Sequence, residues 1–196
     1  MCRTFFYVNQ INNYGRNMQY FLKNIAKKLV FGSILIYNYK VIRVKEEIYM
    51  VTLDKIYHAS YVLKDVVIPT PLVKATAISD DCEVYLKPEN LQITGSFKVR
   101  GSGYKISQLT EEEKKRGVIA CSAGNHAQGV ALAATKYGIK SLICLPDGAP
   151  ISKVEATKGY GAEVCMVPGV YDDAYNKACE LRDEHNYTFI HPFDDE

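Results

Sequence analysis

The octapeptide TGSFKVRG, residues 94–101, sets Lys98 directly after Phe97, with small residues ahead of it and Arg100 two positions on. A solvated surface lysine needs no such setting. The stretch reads as the start of a helix over 96–109 with Ser96 as its N-cap. An ammonium group there meets the positive end of the helix dipole, which disfavours its charged form. That costs stability but suits a lysine acting as a neutral amine nucleophile. The plainer alternative is a lysine reaching into water. About 25 residues later comes CSAGNHAQG, residues 121–129. Ser122, Ala123 and Gly124 are small enough to let an anion approach the backbone closely. The helix that follows offers unpaired N–H groups at its first turn, Asn125 adds an amide, and Ser122 and His126 add donors. Such a loop suits a carboxylate or a phosphate, although a tight turn with a cap explains the same residues. Taken together, an amine nucleophile and an anion cradle would compose a Schiff-base site.

The elements that must position these groups follow from apolar patterning. LDKIYHASYVLK (53–64) has the spacing of an amphipathic helix, and the two prolines of IPTPL (68–72) end it in an extended turn. EVYLKP (83–88) alternates as a strand, and TEEEKKRG (110–117) is a polar helical turn closed by a glycine. From Gly117 a unit repeats: apolar strands at 117–122, 141–146, 162–168 and 188–193, with helices at 126–138, 151–161 and 171–186 between them. Continuous apolar strands alternating with helices predict an α/β fold with a parallel sheet covered on both faces and right-handed crossovers. Residues 121–129 then lie where a strand passes into a helix, the end of the sheet at which open α/β folds bind ligands. GYGAE (159–163) precedes a strand rather than following one, so it reads as a helix stop rather than a dinucleotide motif.

Composition narrows the function classes. The net charge of +2 over 196 residues implies no polyanionic partner. The charge is uneven: residues 1–49 carry eight Lys and Arg against two Glu, and the remainder is mildly acidic. The six cysteines form no CxxC pair and no histidine stands at metal-ligand spacing, so no metal is expected. Cys121, Cys144 and Cys165 each sit in an apolar run as small hydrophobes, and the chain reads as cytosolic. Residues 1–49 are rich in Asn, Tyr, Ile and Lys and show no sustained period. Their longest apolar run, LVFGSILIY (29–37), is too short to span a bilayer. Lys45-Glu46-Glu47 can be encoded by a purine-rich ribosome-binding element just ahead of Met50. We expect residues 1–49 to be a non-native, disordered leader.

Two long motifs carry a resemblance. KPENLQITGSFKVRG (87–101) followed by CSAGNHAQGVALA (121–133) resembles the pyridoxal-phosphate enzymes of the tryptophan-synthase-β type (fold type II), and within them the threonine dehydratases. The resemblance runs from Leu53 to Glu196, with TPL (70–72) and HPFDD (191–195) also matching, and leaves out residues 1–49. It implies that pyridoxal 5′-phosphate is the cofactor and that Lys98 bonds to it covalently. Phe97 would lie beside the cofactor, and Asn125 would hydrogen-bond its 3′-oxygen. Ser122, Ala123, Gly124, Asn125 and His126 would bind the α-carboxylate of the amino-acid substrate. The implied reaction is dehydration and deamination of L-threonine, and of L-serine, to a 2-oxo acid and ammonia.

Within the family, serine racemases usually have serine where Ala123 stands, and that hydroxyl serves as a base. Alanine cannot take a proton, so elimination is favoured. Cysteine synthases carry threonine where His126 stands, and threonine synthase fits less well. The alternative from another class is a non-catalytic module that binds amino acids through residues 122–126, with Lys98 on its surface. The resemblance also implies a domain plan. Residues 50–109 would begin a large cofactor domain and 110–193 would form a small α/β domain. The rest of the large domain, with the phosphate-gripping loop, would come after residue 196. A chain of this extent would bind the cofactor weakly and be inactive. At full length the protein would be a cytoplasmic homo-oligomer with no nucleic-acid or membrane partner.

Overall fold

The computed structural model describes residues 3–8, 51–77 and 83–193, and divides into two compact units. The first comprises residues 1–51 and 70–90, the second 52–69 and 91–196. The division differs from the boundary after residue 109 expected from the sequence, because the helix carrying Lys98 shares its core with the later elements.

In the first unit, β1 (Arg3–Val8), β2 (Val73–Lys74) and β3 (Glu83–Pro88) form a sheet ordered β1-β3-β2. β1 runs parallel to β3, with Arg3 opposite Glu83 and Val8 opposite Pro88; β2 runs antiparallel to it. Residues 3–8 are thus a strand, where the sequence suggested no regular structure; the remainder of 1–49 lies outside the described residues. After β3 the chain buries the Glu89 carboxylate completely. The Thr70 hydroxyl donates to it at 2.6 Å, and Lys87 Nζ caps the Thr70 carbonyl at 2.7 Å. A charge taken out of water needs such partners.

The second unit holds a four-stranded, wholly parallel sheet of β4 (Val118–Cys121), β5 (Ser141–Pro146), β6 (Glu163–Val167) and β7 (Thr188–Phe189), ordered β6-β5-β4-β7. The helices are α1 (Leu53–Val62), α2 (Lys98–Ser107), α3 (Glu111–Arg116), α4 (Asn125–Lys136), α5 (Ile151–Gly159) and α6 (Tyr171–His185). Alternation along the strands divides the core in two. Val118, Ala120, Ile143 and Leu145 face the layer of α2, α4 and α5, while Ile119, Cys121 and Cys144 face Ala174 and Ala178 of α6. Burial on both faces explains why β4 and β5 read as unbroken apolar runs.

Three strands are reached in turn, β4 to β5 to β6, and then α6 returns the chain to the far side of β4 as β7. The order of strands therefore reverses at β4. The carboxyl ends of β4 and β7 lie side by side there, and His126 after β4 and Ile190 to Phe193 after β7 line one cleft.

α2 begins two residues later than its sequence pattern suggested. Phe97 is its N-cap and makes no side-chain capping bond, while Ser96 Oγ accepts from the Lys98 N–H at 3.2 Å. α3 opens with a full capping box. Thr110 Oγ1 accepts from the Glu113 N–H at 3.3 Å, and the Glu113 carboxylate accepts from the Thr110 N–H at 2.8 Å. Gly117, at φ +96°, supplies the left-handed turn into β4.

Candidate active site

Lys98 is the first residue of α2, and a close helix crossing fixes its backbone. α4 passes α2 at Gly129. A Cβ built there would come within 2.9 Å of Ser102 Oγ and 3.0 Å of both Lys98 C and Val99 N. Only glycine lets the two backbones approach so far. Ser102 Oγ donates to the Lys98 carbonyl at 2.8 Å, closing the first turn of α2 from the same side. Val99, next along, is fully buried.

The Lys98 side chain enters a cleft of about 320 Å³ lined by Phe97, Ser102, Tyr104, His126, Pro192 and Phe193, among others. Its Nζ donates to the Pro192 carbonyl at 2.7 Å and lies 5.5 Å from the Phe97 ring centre and 5.2 Å from that of Phe193. Burial pushes the Lys98 ammonium below its ordinary value of 10.5. The direction agrees with the sequence argument and the cause differs from it. Desolvation lowers the value, where the helix dipole was invoked.

The second motif opens α4 beside the strand-order reversal. Ser122 N–H donates to the Cys144 carbonyl at 3.2 Å, and Ser122 Oγ accepts from the Gly124 N–H at 3.2 Å. His126 is buried, and its Nε2 lies 2.9 Å from the Ile190 carbonyl. A carbonyl only accepts, so the proton sits on Nε2. That bond ties the segment after β4 to the segment after β7. Asn125 Oδ1 accepts from Lys153 Nζ, in α5, at 3.0 Å.

The structure gathers Phe97, Lys98 and His126 around one cleft. Ser122, Ala123, Gly124 and Asn125 stand at the start of α4, half-buried and outside the lining of that cleft. Sequence reasoning missed Pro192 and Phe193, which meet Lys98 across most of the unit's length. It also missed Lys153 and the Gly129–Ser102 approach. The small residues of QGVALAA (128–134) were a readable sign of a close crossing; for Lys153 no local signal exists. Among the described residues no cluster of three or more potential ligands could hold a metal ion. No described helix is long and apolar enough to cross a membrane.

The site thus sets a half-buried lysine amine and a helix N-terminus at the strand-order reversal of a parallel α/β sheet. The chain belongs to the pyridoxal-phosphate dependent enzyme family, whose profile matches residues 63–196. It is 49% identical over 148 residues to an L-threonine ammonia-lyase of Thermotoga maritima, covering 74% of this chain and 37% of that protein. Among solved structures, a serine racemase from Dictyostelium discoideum matches with TM-score 0.69 at 36% identity, over 74% of this chain and 48% of that one. The processed form of threonine deaminase isoform 2 from Solanum lycopersicum matches with TM-score 0.66 at 36% identity, over 74% of this chain and 44% of that one. The chain thus spans less than half the length of these relatives.

The residues present suit the family's cofactor. A half-buried amine of lowered pKa can condense with an aldehyde, and two aromatic rings flank it.

Proposed function

We propose that the full-length protein is a pyridoxal-phosphate-dependent L-threonine ammonia-lyase that also accepts L-serine. The observation that carries this reading is the Lys98 amine, held in a cleft between Phe97 and Phe193 with its pKa lowered by burial. When bound, pyridoxal phosphate supplies an electron sink for the charge left at the substrate's α-carbon. Lys98 would hold the cofactor and, when free of it, would use Nζ to take the α-proton of the substrate. In this structure its free amine donates to the Pro192 carbonyl. Phe97 would pack beside the cofactor and Asn125 would hydrogen-bond its 3′-oxygen. Residues Ser122, Ala123, Gly124, Asn125 and His126 bind the α-carboxylate through N–H groups and the helix end, so that the α-C–H bond faces Lys98. Loss of the β-hydroxyl and hydrolysis convert L-threonine to 2-oxobutanoate and ammonia, or L-serine to pyruvate and ammonia.

Likeness to a serine racemase gives a second reading. Ala123 weighs against it, since a methyl group cannot return a proton to the opposite face of the α-carbon. The reading takes the full-length protein to be a cytoplasmic homo-oligomer without nucleic-acid or membrane partners. The 196-residue chain is taken to bind the cofactor weakly and to turn over no substrate.

The test is to express the full-length protein and follow 2-oxo acid formation from L-threonine and L-serine beside Lys98→Ala. The lyase reading expects 2-oxobutanoate from the wild type and a loss of at least about a thousandfold in the variant. Racemisation of serine without 2-oxo acid would overturn it in favour of the second reading. Reduction with borohydride in the presence of pyridoxal phosphate should fix the cofactor on Lys98. Its absence from that residue would sink the assignment.

A further inference from the structure

We propose that Lys153 is a positioning residue that sets the orientation of the Asn125 amide and holds its donor side toward the ligand. The inference rests on the function proposed above. An asparagine side chain presents an acceptor oxygen on one side and a donor nitrogen on the other, and the two exchange places by a half-turn. What settles the choice is the neighbour. Lysine donates and never accepts, so Lys153 Nζ, 3.0 Å from the amide oxygen, admits one orientation only. Nδ2 is thereby committed to face away from Lys153 as a donor. An anionic oxygen, whether a ring 3′-oxygen or a carboxylate, requires that side.

The placement of Lys153 supports a role beyond solvation. It lies in the first turn of α5, where a cation meets the positive helix end and no acidic side chain stands nearby in the turn. A lysine there needs an acceptor, and the Asn125 oxygen provides it. Its backbone is pinned as well. Thr157, fully buried, donates its hydroxyl to the Lys153 carbonyl at 2.8 Å, and the adjacent Val154 is buried in the core. The amine is therefore delivered from a rigid turn. A charged donor also polarises the amide, which strengthens the hydrogen bond that Nδ2 can give.

The test reads the amide directly, with or without cofactor. In ¹⁵N-labelled protein the Asn125 side-chain NH₂ pair, assigned by its loss in Asn125→Ala, should be sharp and well resolved. Lys153→Met should move and broaden it, while Lys153→Arg, which also only donates, should restore it. An unchanged signal in folded Lys153→Met would overturn the proposal. The second readout is pyridoxal phosphate binding. Loss of one oriented hydrogen bond predicts about tenfold weaker binding in Lys153→Met, recovered in Lys153→Arg. In an Asn125→Ala background the same substitution should cost nothing further. A full tenfold loss there would mean that Lys153 acts by itself, and the proposal would fall. Absence of a Lys98 adduct in the wild type would instead sink the proposed function, and the amide signal would still decide the role of Lys153.

Discussion

A lysine with a depressed pKa leaves a mark on stability as well as on reactivity. Burial lowers the Lys98 value in the folded protein, so between that value and 10.5 the unfolded chain binds more protons than the folded one. Stability must then rise with pH across that window. Unfolding midpoints of wild type and Lys98→Met, compared from neutral pH upward, should shift in the wild type's favour as the pH approaches 10.5. A constant difference would contradict it. Thiols behave in the opposite way. Burial pushes Cys121 up to about 11 and Cys144 up to about 12, so at pH 8 both are almost wholly protonated. With Cys2 and Cys82 replaced by serine, a thiol reagent at pH 8 should label Cys165 and Cys179 first. It should reach Cys121 and Cys144 only on unfolding. The burial of Cys121 and Cys144 was legible in their apolar runs. The partners of Lys98 and Asn125 were not, because Pro192 and Lys153 are supplied by tertiary folding and leave no local pattern.

The elements that hold the site are sensitive at two places. Gly129→Ala forces a methyl group against Lys98 C and Val99 N, both backbone atoms that cannot rotate away. Thermal or urea unfolding should show a loss of about 1–3 kcal/mol, and capture of pyridoxal phosphate should weaken with it because Lys98 is displaced. Thr110→Ala removes the hydroxyl of the α3 capping box and should cost about 1 kcal/mol in the same measurement, leaving cofactor capture unchanged. The Glu113 carboxyl adds a pH dependence. The Thr110 N–H and hydroxyl bonds hold it below its ordinary 4.5, so its contribution is present above that value and fades as the pH drops through the lowered one. Strands and helices after Gly117 were legible because both faces of the sheet are covered, which turns strands into unbroken apolar runs flanked by helical spacing. α2 was harder to delimit: Ser96 looks like a cap, yet its hydroxyl bonds the second residue on rather than opening the helix two residues earlier. β1 was invisible, since a strand that owes its pairing to β3 needs no pattern of its own.

On the scale of the molecule, apolar burial among the described residues is concentrated in the second unit. Among the described residues of the first, Val84 is the buried aliphatic residue, beside the Thr70–Glu89 pair, whereas the second has two apolar clusters around its sheet. Hydrogen exchange should accordingly be slowest for the amides of β4 and β5 and markedly faster for β3, and equal protection would count against this distribution. The general architecture was readable, yet the partition into units was not: the turn at 68–72 and the loop at 89–95 look alike in sequence, and only packing shows that α1 and α2 join the later core. Lys98 and the carbonyl on which it rests are 94 residues apart in the chain. At ribosomal speeds of 5–20 residues per second, the lysine leaves the synthesis site about 5–20 s before Pro192 is made. During that interval the amine lacks the Pro192 carbonyl and the Phe193 ring that meet it in the folded unit. The setting of the amine is thus completed late, when the segment after β7 docks beside α2.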